Sequence, residues 1–200
     1  MVAYPEADTT RLTFTTVKPE RFTVRLRYPA WAQDGIFVTV NGVQEEITAK
    51  PGSYVAVDRT WKTGDVLELR LPMRLHIEPL PNHPEYVAVM HGPIVLAGDL
   101  GREGLTHANR YGLWAPPGGR QPSDTVPPIV VPTFVGDVAG ILAKIHPDAT
   151  PLHSFHTTGL AQPHDVHLVP FWKLFAERYT VYWKLTSPEE WKRTNSSARP

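Results

Sequence analysis

The 200 residues carry 20 Lys plus Arg against 20 Asp plus Glu, a formal charge of zero, so nucleic acid and membrane surfaces are not expected partners. Cysteine is absent, which removes disulfides, thiolate metal sites and cysteine nucleophiles together. With 42% hydrophobic residues the length suits one large core or two smaller ones, and apolar runs such as Ile94 to Ala97 fall far short of the roughly 18 residues of a membrane span.

The first hundred residues alternate apolar and polar with period two, the pattern of half-buried strands. Arg11 to Thr16 places Leu12 and Phe14 on one face. Phe22 to Tyr28 sets Phe22, Val24, Leu26 and Tyr28 against Thr23, Arg25 and Arg27. Ile36 to Val40 runs into Asn41-Gly42, whose tolerance of positive φ predicts a type I′ hairpin with Val43 to Ile47 pairing back. Pro51-Gly52 turns the chain into a strand over Ser53 to Asp58, and Gly64-Asp65 precedes another over Val66 to Leu71. Arg74 to Glu78, Tyr86 to Met90 and Ile94 to Ala97 continue the series, the last two separated by Gly92-Pro93. About nine short strands without an amphipathic helix predict an all-β fold of packed antiparallel sheets.

From Gly98 to Pro128 glycine and proline accumulate. Neither a phosphate-loop lysine motif nor dinucleotide-binding spacing is present, so this stretch reads as a long connection. Ile129 to Val135, Ser154 to Thr158 and Asp165 to Val169 are strand candidates, and Val138 to Ile145 is ambiguous between strand and helix. Phe171 to Glu177 suits a helical turn. Tyr179, Val181, Trp183 and Leu185 alternate with Thr180, Tyr182 and Lys184 as a final strand. Ser187-Pro188-Glu189-Glu190-Trp191 has the signature of a capped helical turn, with the chain beyond it expected to fray.

Three constellations contain residue types that carry chemistry. His146, His153, His156, His164 and His167, with Asp148 and Asp165, contain zinc-binding residue types. However, His164 and His167, like His153 and His156, are three apart, which on a strand puts them on opposite faces. Solvated loop histidines are therefore the expectation, with no metal site. The tryptophans at 31, 61, 114, 172, 183 and 191 offer faces for stacking on sugars. Trp31, Trp61 and Trp183 read as packing residues, and of the others Trp114, in the exposed connection, is the best candidate for a glycan contact. The acid pairs Glu45-Glu46 and Glu189-Glu190 are sequence neighbours, unlike glycosidase carboxylates, which flank a bond at roughly 5 to 10 Å. Asp58, Asp65 and Glu78 are isolated, and Asp65 suits backbone capping in its turn. No catalytic residue and no cofactor is expected.

Several phrases occur in one order: Val24-Arg25-Leu26-Arg27-Tyr28-Pro29-Ala30-Trp31-Ala32, Val40-Asn41-Gly42, Pro51-Gly52-Ser53-Tyr54-Val55, and Asp58-Arg59-Thr60-Trp61-Lys62-Thr63-Gly64-Asp65. Val87-Ala88-Val89-Met90-His91-Gly92-Pro93-Ile94-Val95-Leu96-Ala97-Gly98 follows, then Pro170-Phe171-Trp172 and Glu177-Arg178-Tyr179-Thr180-Val181-Tyr182-Trp183. Together they resemble the C-terminal region of glycoside hydrolase family 127, the β-L-arabinofuranosidase-like enzymes. The resemblance implies a helical (α/α)6 catalytic barrel followed by two β-sandwich units, with retaining hydrolysis by a zinc-bound cysteine and a glutamate acid/base in the barrel. None of those catalytic positions maps onto this chain.

The implied layout is a first sandwich over 1–98 completed by 179–185, a smaller second sandwich over 99–178, and a frayed tail over 186–200. The implied role is a non-catalytic scaffold whose partners are the catalytic barrel and a second copy in a homodimer. The alternative is a carbohydrate-binding module for arabinose-containing, plant-type glycans. The N-terminus, Met1 to Glu6, does not read as a secretory signal.

Overall fold

The computed structural model describes residues 6–105 and 128–196. The fold is all-β, and the chain divides into two compact units between Arg74 and Leu75.

The first unit is a sandwich. Strands β1 (Thr9–Thr13), β6 (Val66–Arg70), β3 (Phe37–Val40) and β4 (Val43–Gln44) form one sheet in that spatial order. Strands β2 (Glu20–Arg27) and β5 (Tyr54–Trp61) pair antiparallel as the other, from Glu20 opposite Trp61 to Arg27 opposite Tyr54. Alternation aims Val38, Val40, Leu67 and Leu69 from the first sheet, and Leu26, Val55, Val57 and Trp61 from the second, into one core. Trp61 is fully buried. Its ring stacks on Phe14 at 4.0 Å and its indole N–H donates to the Phe22 carbonyl at 3.1 Å, so a large apolar ring is buried without orphaning its donor.

The β3–β4 turn has Asn41 at φ 54 and Gly42 at φ 80, as a type I′ hairpin requires. Asn41 also ties this turn to the next one. Its amide donates to Asp65 Oδ1 at 2.9 Å and its carbonyl oxygen accepts from the Val66 N–H at 2.8 Å. Asp65, 2% exposed, accepts from the Lys62 N–H on Oδ2. These bonds, the Asn41 side chain first and then the Lys62 amide, hold the Asp65 carboxyl below its ordinary range.

The second unit is one connected ten-stranded sheet. Strands β7 (Leu75–Leu80) and β8 (His83–His91) form a hairpin, and β8 pairs with β9 (Ile94–Asp99) only from Val89 to His91 before the two part. The end of the chain fills the gap. Strand β15 (Tyr179–Thr180) pairs with Asp99 and Gly98, and β16 (Trp183–Thr186) pairs with Val87 and Tyr86. Beyond β9 the sheet continues through β14 (His167–Pro170), β12 (Phe155–Thr157) and β11 (Ile145–Pro147); beyond β16 it continues through β10 (Thr133–Val135) and β13 (Ala161–Gln162). Every pairing is antiparallel except β10 with β16, so this unit is a branched sheet rather than a purely antiparallel sandwich.

The expected division at Gly98 is corrected. Residues 75–98 belong to the second unit because β7, β8 and β9 pair only with one another and with strands that follow them. The last strand returns to the first hundred residues as expected, but to strands of its own unit. The ambiguous stretch contains a short helix, α1 (Val138–Leu142), capped by Asp137. The frayed tail is corrected in part, since α2 (Pro188–Ser196) is a nine-residue helix. Ser187 Oγ accepts from the Glu190 N–H at 3.1 Å, Pro188 opens the helix, and Glu189 and Glu190 occupy its first turn, which favours the helix against its dipole.

Trp183 is fully buried, stacked on Phe134 at 4.5 Å with ring planes 6° apart. A Cβ at Gly98 would meet its Cη2 at 2.3 Å, so only glycine admits the indole at this point.

The loop preceding β15 is anchored by Glu177, whose Oε2 accepts from the Phe175 and Ala176 N–H groups at 3.2 and 2.9 Å and whose Oε1 accepts from the Arg102 guanidinium. The Ala176 amide foremost, then Arg102, lowers the Glu177 carboxyl to about 2.

Gly98→Ala forces the indole out of its seat and should lower the unfolding free energy by about 1–3 kcal/mol, read from urea denaturation. Because folding depresses the Glu177 carboxyl, its stabilisation is present above the unfolded value near 4.5 and is lost as pH falls toward about 2. Glu177→Gln should therefore flatten the loss of urea midpoint across that window, whereas an acid limb as steep as that of the parent chain would show that Glu177 does not supply it.

Candidate functional site

Cross-strand register, not spacing along a strand, brings histidines together. His146 lies opposite His156, and His156 opposite His167, on β11, β12 and β14. Their ring centroids are 5.7 and 6.4 Å apart. Asp148 serves this row, with Oδ1 2.6 Å from His156 Nδ1 and Oδ2 3.8 Å from His167 Nδ1. The strand-alternation rule used to separate His164 from His167 and His153 from His156 does not apply to either pair, because His164 and His153 lie in turns outside β14 and β12, and it is silent on neighbours in other strands. His164 sits exposed in the turn before β14. His153, at φ 61, faces His91 with Nδ1 atoms 3.2 Å apart, so one ring donates and the other accepts.

Asp165 does not join the histidine row. It accepts from Thr157 Oγ1 and from the N–H groups of Gly159, Leu160 and Ala161. Burial pushes its carboxyl up, but these donors together outweigh that and leave it below the ordinary range. Among the described residues no group of three or more His, Asp or Glu is arranged to hold a metal ion.

The acids considered from sequence are engaged elsewhere. Asp58 pairs with Arg21 at 3.0 Å across β2 and β5, on an exposed face. Glu78 lies 3.4 Å from His76. Asp65 caps its own turn, as its position after Gly64 suggested.

Trp61 and Trp183 are core residues and Trp31 packs partly buried against the first core. Trp114, the candidate glycan contact, lies outside the described residues. Sequence reasoning missed an aromatic ridge on the second unit. The 3-10 turn Phe171–Lys173 and the loop after it leave Phe171 42%, Trp172 45%, Phe175 86% and Tyr179 49% exposed. Phe171 and Tyr179 touch, with ring centroids 5.1 Å apart, and Glu177 holds the turn that points Phe175 outward. An aromatic cluster this exposed is a feature of interaction surfaces. The available signal was the density of aromatics between Phe171 and Tyr182, which alternation alone assigns to a core.

Comparison with known proteins relates both units to described domains. Residues 1–73 match the profile described as β-L-arabinofuranosidase, GH127 middle domain, and residues 76–185 match a domain of unknown function, DUF4986. The boundary between the two matches coincides with the division at Arg74 and Leu75. None of the curated proteins matches the chain.

Among solved structures, one described as a glycoside hydrolase matches with TM-score 0.61 at 22% identity, over 92% of this chain and 31% of its own. Ara127N, a GH127 β-L-arabinofuranosidase from Geobacillus stearothermophilus T6, matches with TM-score 0.60 at 20% identity, over 92% of this chain and 29% of its own. A further GH127 β-arabinofuranosidase matches with TM-score 0.57 at 20% identity, over 94% of this chain and 32% of its own. The chain thus spans about a third of the length of the structures it matches. With the DUF4986 profile over more than half of its length, the GH127 middle-domain profile over its first unit and the same fold in these structures, the chain belongs to the DUF4986 family and is a β region like that of glycoside hydrolase family 127 proteins.

Proposed function

We propose that this chain supports the helical catalytic domain of a β-L-arabinofuranosidase-like parent and contributes to its dimer, performing no hydrolysis itself. The observation that carries this reading is the ridge of Phe171, Trp172, Phe175 and Tyr179, because large aromatic faces left in water favour a partner that covers them. A second argument comes from chemistry. The mechanism that the resemblance to glycoside hydrolase family 127 implies needs a cysteine thiolate on zinc, and the sequence has no cysteine. The ridge is rigidly presented, since Glu177 and Arg102 fix its loop and the Arg178 N–H donates to the Gly101 carbonyl at 2.9 Å. A partner would therefore meet a surface whose ordering cost is already met.

Mixed with the separately expressed catalytic domain, the chain should form a complex seen by sedimentation velocity, and the chain alone should not turn over an arabinofuranoside. The double substitution Trp172→Ala with Phe175→Ala should weaken the complex at least tenfold, as loss of buried aromatic anchors does, while leaving the urea midpoint near that of the unsubstituted chain. Failure to associate, or hydrolysis by the isolated chain, would overturn the scaffold assignment.

A further inference from the structure

We propose that the outer face of the four-stranded sheet in the first unit binds one neutral sugar residue. The alternation that sends Val38, Val40, Leu67 and Leu69 inward leaves Phe37, Thr39, Glu68 and Arg70 outward, and antiparallel register places Thr9 and Phe37 on either side of Arg70. Thr9, Phe37, Thr39, Glu68 and Arg70 line an open groove of about 310 Å³. This is at the lower end of ligand-pocket sizes, roughly 300–1,000 Å³, which suits a single ring better than an extended chain.

The lining has the two components a sugar requires. Phe37, 42% exposed, supplies an apolar platform for the C–H face of a ring on a strand whose other outward neighbours are polar. Glu68 supplies an under-used acceptor. Its Oε1 is 3.6 Å from Arg11 Nε, an ion pair beyond hydrogen-bond distance, and its Oε2 is 3.5 Å from Thr39 Oγ1, at the outer limit of one, so lone pairs remain for ligand hydroxyls. Arg70 forms the wall. Its guanidinium lies 5.8 Å from the Phe37 centroid and is held by Asp8 at 2.8 Å, and Arg70 in turn keeps the Asp8 carboxyl below its ordinary range.

The charges select the class of ligand. Arg11 and Arg70 are matched by Glu68 and Asp8, so the groove carries no surplus charge to attract a uronate or a phosphate. A vicinal diol donates to Glu68 and accepts from Arg70 without leaving either charge unpaired. The openness of the groove leaves much of the ring in water, and the expected affinity is weak, with Kd on the order of 1 mM.

The proposal concerns neutral sugars in general, and only the choice of an arabinoside as first probe rests on the functional reading above. The full chain, isotopically labelled, is titrated with methyl β-L-arabinofuranoside and, separately, with methyl β-D-glucopyranoside. The expected result is saturable movement of the amide resonances of Thr9, Phe37, Thr39, Glu68 and Arg70 with at least one of them. Phe37→Ala and Glu68→Gln should each weaken that response about tenfold or abolish it. Urea midpoints confirm that both variants are folded. No saturable movement on these strands with either sugar at tens of millimolar, or unchanged binding in both folded variants, would overturn the proposal. Suppression of the response by added catalytic domain would also overturn it, because the face would then be an interface. Association with the catalytic domain, measured on the same samples, tests the scaffold role separately.

Discussion

The second unit depends on one steric fit, the indole of Trp183 lying over a bare backbone at Gly98. The fit sits where β8 and β9 have parted and the final segment crosses from one to the other, pairing first with Gly98 and then with Val87. A side chain at position 98 would lift the indole from Phe134 and break both pairings together, because close-packed interiors offer no alternative seat for a ring of that size. The parallel partner of β16, β10, leads on to β13, so three of the ten strands of the sheet join it at this contact.

The first unit rests on a polar equivalent. Asn41 and Asp65 share a bond that joins the β3–β4 hairpin to the turn before β6, and each also satisfies a backbone amide. A buried carboxylate in this setting is fully employed by hydrogen bonds, and its lowered pKa is a mark of structure rather than of catalysis. Glu177 and Asp165 follow the same logic in the second unit, each gathering several N–H groups of a loop. These three carboxylates, each lowered by its donors, thus organise turns.

Function is consequently sought on surfaces and not in a catalytic pocket. The two surfaces differ in physical character. The ridge around Phe175 is apolar and gains by exclusion of water, whereas the groove around Phe37 combines one ring with balanced charges and retains its hydration. They lie on separate units that correspond to separate family profiles, so the two proposed roles are open to independent change.

The sequence by itself determined whatever neighbours within a few residues decide. Period-two alternation located most of the strands, Asn41-Gly42 specified the hairpin, Ser187 with Glu190 marked the start of α2, and ordered phrases named the family. It misplaced the domain boundary because the break in composition at Gly98 marks a connection within the second unit; the true division lies where strand pairing ceases, between Arg74 and Leu75. It also left the histidine row and the groove undetected. Tertiary structure alone set His146, His156 and His167 side by side, and Phe37 beside Arg70, since ladder partners lie far apart in the chain and their register follows from which faces can be buried together.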